Sequence, residues 1–283
     1  MRPQFDLRVP GRRTGATVAT ASNADSRIAY TIATLVNDAD QYAAMRASFR
    51  AFGFEGPDCE FISIDNTGVS QTEAYAGLNQ LLDRARGRFV ILCHQDVRLI
   101  GDGRRQLEDR LAELERRDLS WALAGNAGGI GPGRLALRIT DPHGKDRRIG
   151  DFPQQVVTLD ENFIVLKRTA RLGFSRDLAG YHLYGADLCL VADILGYTAY
   201  VIDFHLEHLS PGTKAAEFHG AEAAFRQKWS RALRSRWLQT TCTLVPISGD
   251  RLDRLIGGVA GGAVAGIARR LPTARGWTKR AAK

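Results

Sequence analysis

Arg88–Leu99, RFVILCHQDVRL, is an apolar run that stops abruptly at His94, Gln95 and Asp96. Phe89 to Leu92 predict a strand buried on both faces, because consecutive apolar residues flanked by charge suit a covered sheet better than alternation does. The polar triplet then falls where that strand ends. In open α/β sheets ligands bind in the crevice beyond the carboxyl ends of the strands, so an imidazole and a carboxylate placed there have chemistry available to them.

The residues before this stretch repeat the same pattern. Ile28 to Val36, IAYTIATLV, predicts a strand that runs into Asn37-Asp38, residues that favour turns and helix caps. Tyr42, Met45, Phe49 and Phe52 follow at helical spacing. Glu60 to Ile64 is a second strand and also ends in polar residues, Asp65-Asn66-Thr67-Gly68. Ser70-Gln-Thr-Glu73 has the form of a capping box, opening a helix with Tyr75, Leu78, Leu81, Leu82 and Ala85 on one side and Gly87 as its stop. The first hundred residues thus predict β-α-β-α-β, with polar residues at three successive strand ends.

Beyond the triplet, Leu107 to Leu119 is an amphipathic helix and Trp121 to Ala124 a strand. Gly125 to Gly133 is glycine-rich but does not fit G-x-G-x-x-G, so it predicts a permissive loop rather than a phosphate cradle. Leu135 to Ile139, Val156 to Leu159 and Phe163 to Leu166 predict strands, with a polar hairpin at Asp141 to Gly150. A helix over Asp187 to Leu195, a strand over Tyr200 to Ile202 and a long helix over Ala215 to Leu233 complete the pattern.

The 283 residues carry a net charge of +8, but it is concentrated at the ends. Residues 251–283 hold +7 and residues 1–27 hold +3, which leaves the body at −2. A basic nucleic-acid groove in the body is therefore not expected. Residues 1–27 predict a flexible basic arm, with an Arg-rich transit peptide as the minor alternative. Residues 237–283 form a basic, glycine-rich extension around Leu255 to Ala268, LIGGVAGGAVAGIA, too short for a span of roughly 20 apolar residues. A surface-lying segment at an anionic membrane, an oligomer contact and a packed terminal helix are the readings it leaves open. The N-terminus lacks the apolar core of a secretory signal, and Cys59, Cys93, Cys189 and Cys242 show no metal-binding spacing. A cytoplasmic protein, peripheral on the inner face of the membrane, is the expectation.

Taken in order, several segments resemble the inverting family 2 glycosyltransferases of the GT-A fold over roughly residues 28–236. They are Thr34-Leu-Val-Asn37, Ile64-Asp65-Asn66, Asn79 to Gly87, the His94-Gln95-Asp96 triplet where that family carries D-x-D, Leu172-Gly173-Phe174, Gly185-Ala-Asp187, Gly196-Tyr197 and His208. The resemblance implies an α/β fold with a single Rossmann-like mixed sheet flanked by helices. It implies transfer of a sugar from a nucleoside diphosphate donor to a carbohydrate or lipid-linked acceptor hydroxyl, with inversion, in polysaccharide or glycolipid assembly.

It also implies roles. Asp65, with Thr34 and Asn37, would bind the base edge, and Asn66, Asn79, His94 and Gln95 would complete the donor site. Asp96 and His208 would hold Mn²⁺ or Mg²⁺, an imidazole ligand favouring Mn²⁺. Asp187 would be the catalytic base, with Asp160 and Glu161 in reserve, because Tyr184-Gly185 stands where many members carry an acidic pair. His182, His205 and His219 are expected to be structural. Two other classes compete. A sugar nucleotidyltransferase would need a Gly-rich triphosphate loop where this chain has the acidic Asn37-Asp38-Ala-Asp40. A non-catalytic carbohydrate- or partner-binding module is suggested by His94 and Gly185.

Overall fold

The computed structural model describes residues 28–211, 216–239, 241 and 244–249. The basic arm at 1–27, Cys242 and the Leu255 to Ala268 segment lie outside the described residues. The chain divides into two compact units, Met1–Thr213 and Lys214–Lys283.

In the first unit, β1 (Tyr30–Val36), α1 (Ala39–Ala51), β2 (Cys59–Asp65), α2 (Ala74–Arg84) and β3 (Phe89–Cys93) form the alternating start that the hydrophobic pattern predicts. Then come β4 (Val97–Leu99), α3 (Arg104–Arg117), β5 (Trp121–Gly125), β6 (Ala127–Gly131), β7 (Arg134–Asp141), β8 (Gly144–Ile149), β9 (Gln154–Val156), β10 (Thr158–Leu159), β11 (Phe163–Lys167), α4 (Tyr184–Ile194), β12 (Thr198–Val201) and β13 (Leu206–His208).

One sheet runs β2-β1-β3-β11-β5-β12-β9. β1 is parallel to β2 and β3, while β11 lies antiparallel between β3 and β5. This is a mixed, Rossmann-like α/β sheet flanked by helices, as the sequence resemblance implies. A second sheet, β10-β6-β7-β13-β4 with β8 on β7, accompanies it. Every residue of β3 is buried, as a strand with neighbours on both edges and cover on both faces requires. Tyr30 and Trp121 stack on the two sides of Phe89, and the same core takes in Met45 and Phe49 of α1 and Leu107, Leu111 and Leu114 of α3.

Several local expectations are corrected. Asp38 does cap α1, its carboxylate accepting from the N–H groups of Asp40 and Gln41. Ser70 does not cap α2, which begins at Ala74 without a side-chain cap. The Asn66 amide instead clamps the preceding loop, bonding both the N–H and the carbonyl of Thr72. Gly87 lies beyond the helix end, and its role is close approach: a Cβ there would sit 2.4 Å from the Thr31 nitrogen. The glycine-rich stretch is a strand, β6, paired with β7, and most of the polar hairpin is β8.

In the second unit the described residues form α5 (Ala216–Ala232) and an antiparallel pair, β14 (Arg236–Gln239) with β15 (Leu244–Ile247). Trp229 is the buried residue of α5, and Phe218, Ala221 and Phe225 are half-buried.

Candidate active site

Two pairings place the site. β3 ends at Cys93, opposite Phe163 of the antiparallel β11, so Glu161 and Asn162 come alongside His94. The His94 N–H donates to the Asn162 carbonyl at 3.0 Å. β4 follows immediately and pairs antiparallel with β13, Val97 opposite His208, and the Leu209 N–H donates to the Asp96 carbonyl. His94, Asp96 and His208 therefore converge, with their ligand atoms within 4.8 Å of one another.

His208 Nε2 is 3.3 Å from Asp96 Oδ1 and 3.4 Å from His94 Nδ1. Burial alone would raise the Asp96 carboxyl, but the hydrogen bond and charge of His208 outweigh it and hold Asp96 well below the usual carboxylate range. Burial would lower His208, and Asp96 reverses that, so His208 is raised. His94 is lowered, by burial first and then by the neighbouring His208. Two imidazoles and a carboxylate, all partly buried, are a donor set that suits a divalent first-row cation, so the residues present fit the metal that the resemblance implies.

The other ring nitrogen of His94 is also fixed. Its Nε2 is 2.6 Å from the Tyr184 hydroxyl, which lies 3.4 Å from the Glu161 carbonyl. With Tyr184 O–H donating to that carbonyl, its oxygen accepts from the Nε2–H of His94. Nδ1 is then left as a lone pair facing Asp96 and His208.

His94, Asp96 and Tyr184 line an open cavity of about 220 Å³ that also takes in Asn37, Gln41, Asn66, Gln71, Gln95, Glu161 and Tyr181. Gln95 ties its floor to β1: its carbonyl accepts from the N–H groups of Asn37 and Asp38, and its amide donates to Asn37 Oδ1. Glu161 is a carboxyl held near neutrality. Burial first, and then the Asp160 charge, push its carboxyl up to about 7, against the N–H groups of Leu183, Tyr184 and Gly185 that face it. Gly185 permits this closeness, because a Cβ there would lie 2.4 Å from the Leu159 carbonyl oxygen.

Other expected site residues do not reach the cavity. Asp187 is 0% exposed, and its carboxylate accepts from the N–H and hydroxyl of Ser175 at 2.8 and 2.7 Å. It positions the segment before α4 and does not line the cavity, so of the acidic candidates only Glu161 does. Asn79 is likewise a clamp, bonding the N–H and carbonyl of Phe174. Thr34 is buried inside β1. Asp65 is exposed at the end of β2, where the Thr67 hydroxyl and N–H hold its carboxyl below the usual range. The Asp160 carboxylate accepts from Asn162. His205 Nε2 lies 2.9 Å from the Thr140 hydroxyl. Tyr184, Tyr181 and Gln71 are cavity residues that sequence reasoning missed; the tyrosine beside Gly185 was the available signal.

Fold and site together define an α/β protein with a His94-Asp96-His208 cluster at the strand ends. No known family's sequence profile matches the chain. It belongs to the same family as a protein of Fuscovulum blasticum named "ATP synthase subunits region ORF 6", 37% identical over 233 residues, 80% of this chain and 93% of that one. That name states no activity. Similar solved structures include the mannosyltransferase PcManGT from Pyrobaculum calidifontis in complex with GDP-Man and Mn²⁺, at 15% identity and a TM-score of 0.46, covering 72% of this chain and 64% of that one. Another is S. aureus TarS 1-349 in complex with UDP-GlcNAc, at 10% identity and a TM-score of 0.48, covering 66% and 60%. At these scores the likenesses carry no further argument. Among the described residues no helix is long and apolar enough to cross a membrane.

Proposed function

We propose that the protein is a metal-assisted glycosyltransferase that moves a sugar from a nucleoside diphosphate donor to an acceptor hydroxyl with inversion, in polysaccharide or glycolipid assembly. The observation that carries this reading is the convergence of His94, Asp96 and His208 at the edge of a cavity that Glu161 also lines.

His94, Asp96 and His208 would hold the divalent cation, and two nitrogen ligands favour Mn²⁺ over Mg²⁺, which prefers oxygen and keeps its waters. When bound, the cation supplies positive charge against the diphosphate leaving group. Asn37, Asn66 and Gln71 offer amide and backbone groups along the cavity for the nucleoside, with Asp65 at the rim by resemblance. Glu161 is the base. A carboxyl poised near 7 can take the acceptor proton as the oxygen attacks the anomeric carbon from the face opposite the leaving group. Contact with anionic lipid through the C-terminal extension belongs to this proposal and rests on its charge alone.

Turnover of a panel of nucleotide sugars, with Mn²⁺ and with EDTA, tests the reading. Mn²⁺-dependent release of nucleoside diphosphate, lost in Asp96→Ala, is the expected result. Metal-independent turnover, or unchanged turnover in Asp96→Ala, would overturn it.

A further inference from the structure

A second cavity, of about 320 Å³, shares Glu161 with the first. Its wall comes from the β6–β7 hairpin, from β10 and from the start of α4, and among the described residues Thr158, Asp160 and Glu161 are its only lining residues with polar side chains. The remaining surface is glycine, alanine and leucine.

Two of the leucines stand out. Leu135 is 55% exposed yet lines the cavity, so an apolar side chain is held at its water-facing edge. Leu183 has φ of 64°, a left-handed conformation that costs a branched side chain more than it costs glycine. That turn sets an apolar side chain on the cavity wall while its N–H and those of Tyr184 and Gly185 face Glu161.

A transfer needs its base between donor and acceptor, and Glu161 is the carboxylate common to both cavities. We infer that the second cavity receives the aliphatic part of the acceptor and brings the attached hydroxyl to Glu161. The substrate class is then a hydroxyl-bearing head group on an alkyl tail rather than a free sugar. This rests on the assignment of Glu161 as base in the proposed function. Apolar surface removed from water would supply the affinity, and the two acidic residues would face the polar head.

The test is binding of octyl β-D-glucoside, below its micelle concentration, against methyl β-D-glucoside, by calorimetry on the full chain. The octyl compound should bind roughly tenfold more tightly or better. Leu135→Glu should remove that preference without moving the thermal transition, and Ala186→Asp, at a second wall position, should do the same. Equal binding of the two glucosides, or a preference that survives both substitutions, overturns the inference. Binding of UDP and GDP with Mn²⁺ is measured in parallel. Nucleotide binding without tail preference defeats this inference and leaves the donor reading intact. Tail preference without nucleotide binding defeats the donor reading, and the acceptor assignment with it.

Discussion

His208 Nε2 lies 3.3 Å from Asp96 Oδ1 although most of the first unit separates them in sequence, and the antiparallel pairing of β4 with β13 closes that distance. The pairing is short, so the site depends on residues that hold the two strand ends in register. Chief among them is the Leu209 N–H, which donates to the Asp96 carbonyl.

On the proposed function, Tyr184 acts on the cation site through His94 as a positioning residue. Tyr184→Phe removes the hydroxyl 2.6 Å from His94 Nε2. Loss of such an outer partner is expected to weaken Mn²⁺ binding by about 10–100-fold. Titration of Mn²⁺ by electron paramagnetic resonance checks this; unchanged affinity would remove Tyr184 from the scheme.

Glu161 links pH to both stability and rate. Its carboxyl is near 4.5 when unperturbed and is raised to about 7 by burial in the folded chain. The native state therefore binds more protons than the unfolded state between those values, and stability falls as pH rises from about 4.5 through 7. Urea melts at intervals across this window should show that fall, by up to roughly 3 kcal/mol, and Glu161→Gln should flatten it. As base, the same residue should make kcat/KM drop as pH falls below about 7.

Gln95 joins the triplet to the end of β1. Gln95→Ala leaves the N–H groups of Asn37 and Asp38 without its carbonyl, at an expected cost of about 0.5–1.5 kcal/mol. Hydrogen exchange should show those two amides losing protection, with a raised KM for the donor.

Asp187 should behave as a structural carboxylate. Asp187→Asn perturbs the contacts to the Ser175 N–H and hydroxyl and should lower the thermal transition, by about 1–3 kcal/mol of stability. Its kcat pH profile should keep the wild-type shape. A shifted profile would return Asp187 to the chemistry.

Much of the fold was legible because period and polarity agree over the first hundred residues. An alternating βα pattern with buried strands leaves few topologies, and β3 announced both its burial and its end. The second sheet was only partly legible. Leu135 to Ile139 predicts β7, but β4, β10 and β13 are only two or three residues long, and glycines such as those of β6 read locally as a loop, although tertiary pairing with β7 and β10 makes them a strand. In the site, Asp96 and His208 could be paired only through the family resemblance, since nothing local to either predicts the other. His94 departs from the acidic pattern of the family, and its place is fixed by contacts across the fold to Tyr184 and His208. Asp187 misled for a related reason. An acidic residue in the first turn of a helix looks alike in sequence whether it faces a cavity or, as here, a buried serine.

At the centre of the proposed function His94, Asp96 and His208 together hold a cation required for transfer. Mn²⁺ binding to the full chain, measured by electron paramagnetic resonance alongside nucleotide-sugar turnover, tests it most directly. One Mn²⁺ per chain, lost together with turnover in Asp96→Ala and in His208→Ala, is the expected result. Wild-type Mn²⁺ affinity in Asp96→Ala, or turnover that persists in EDTA, would contradict it.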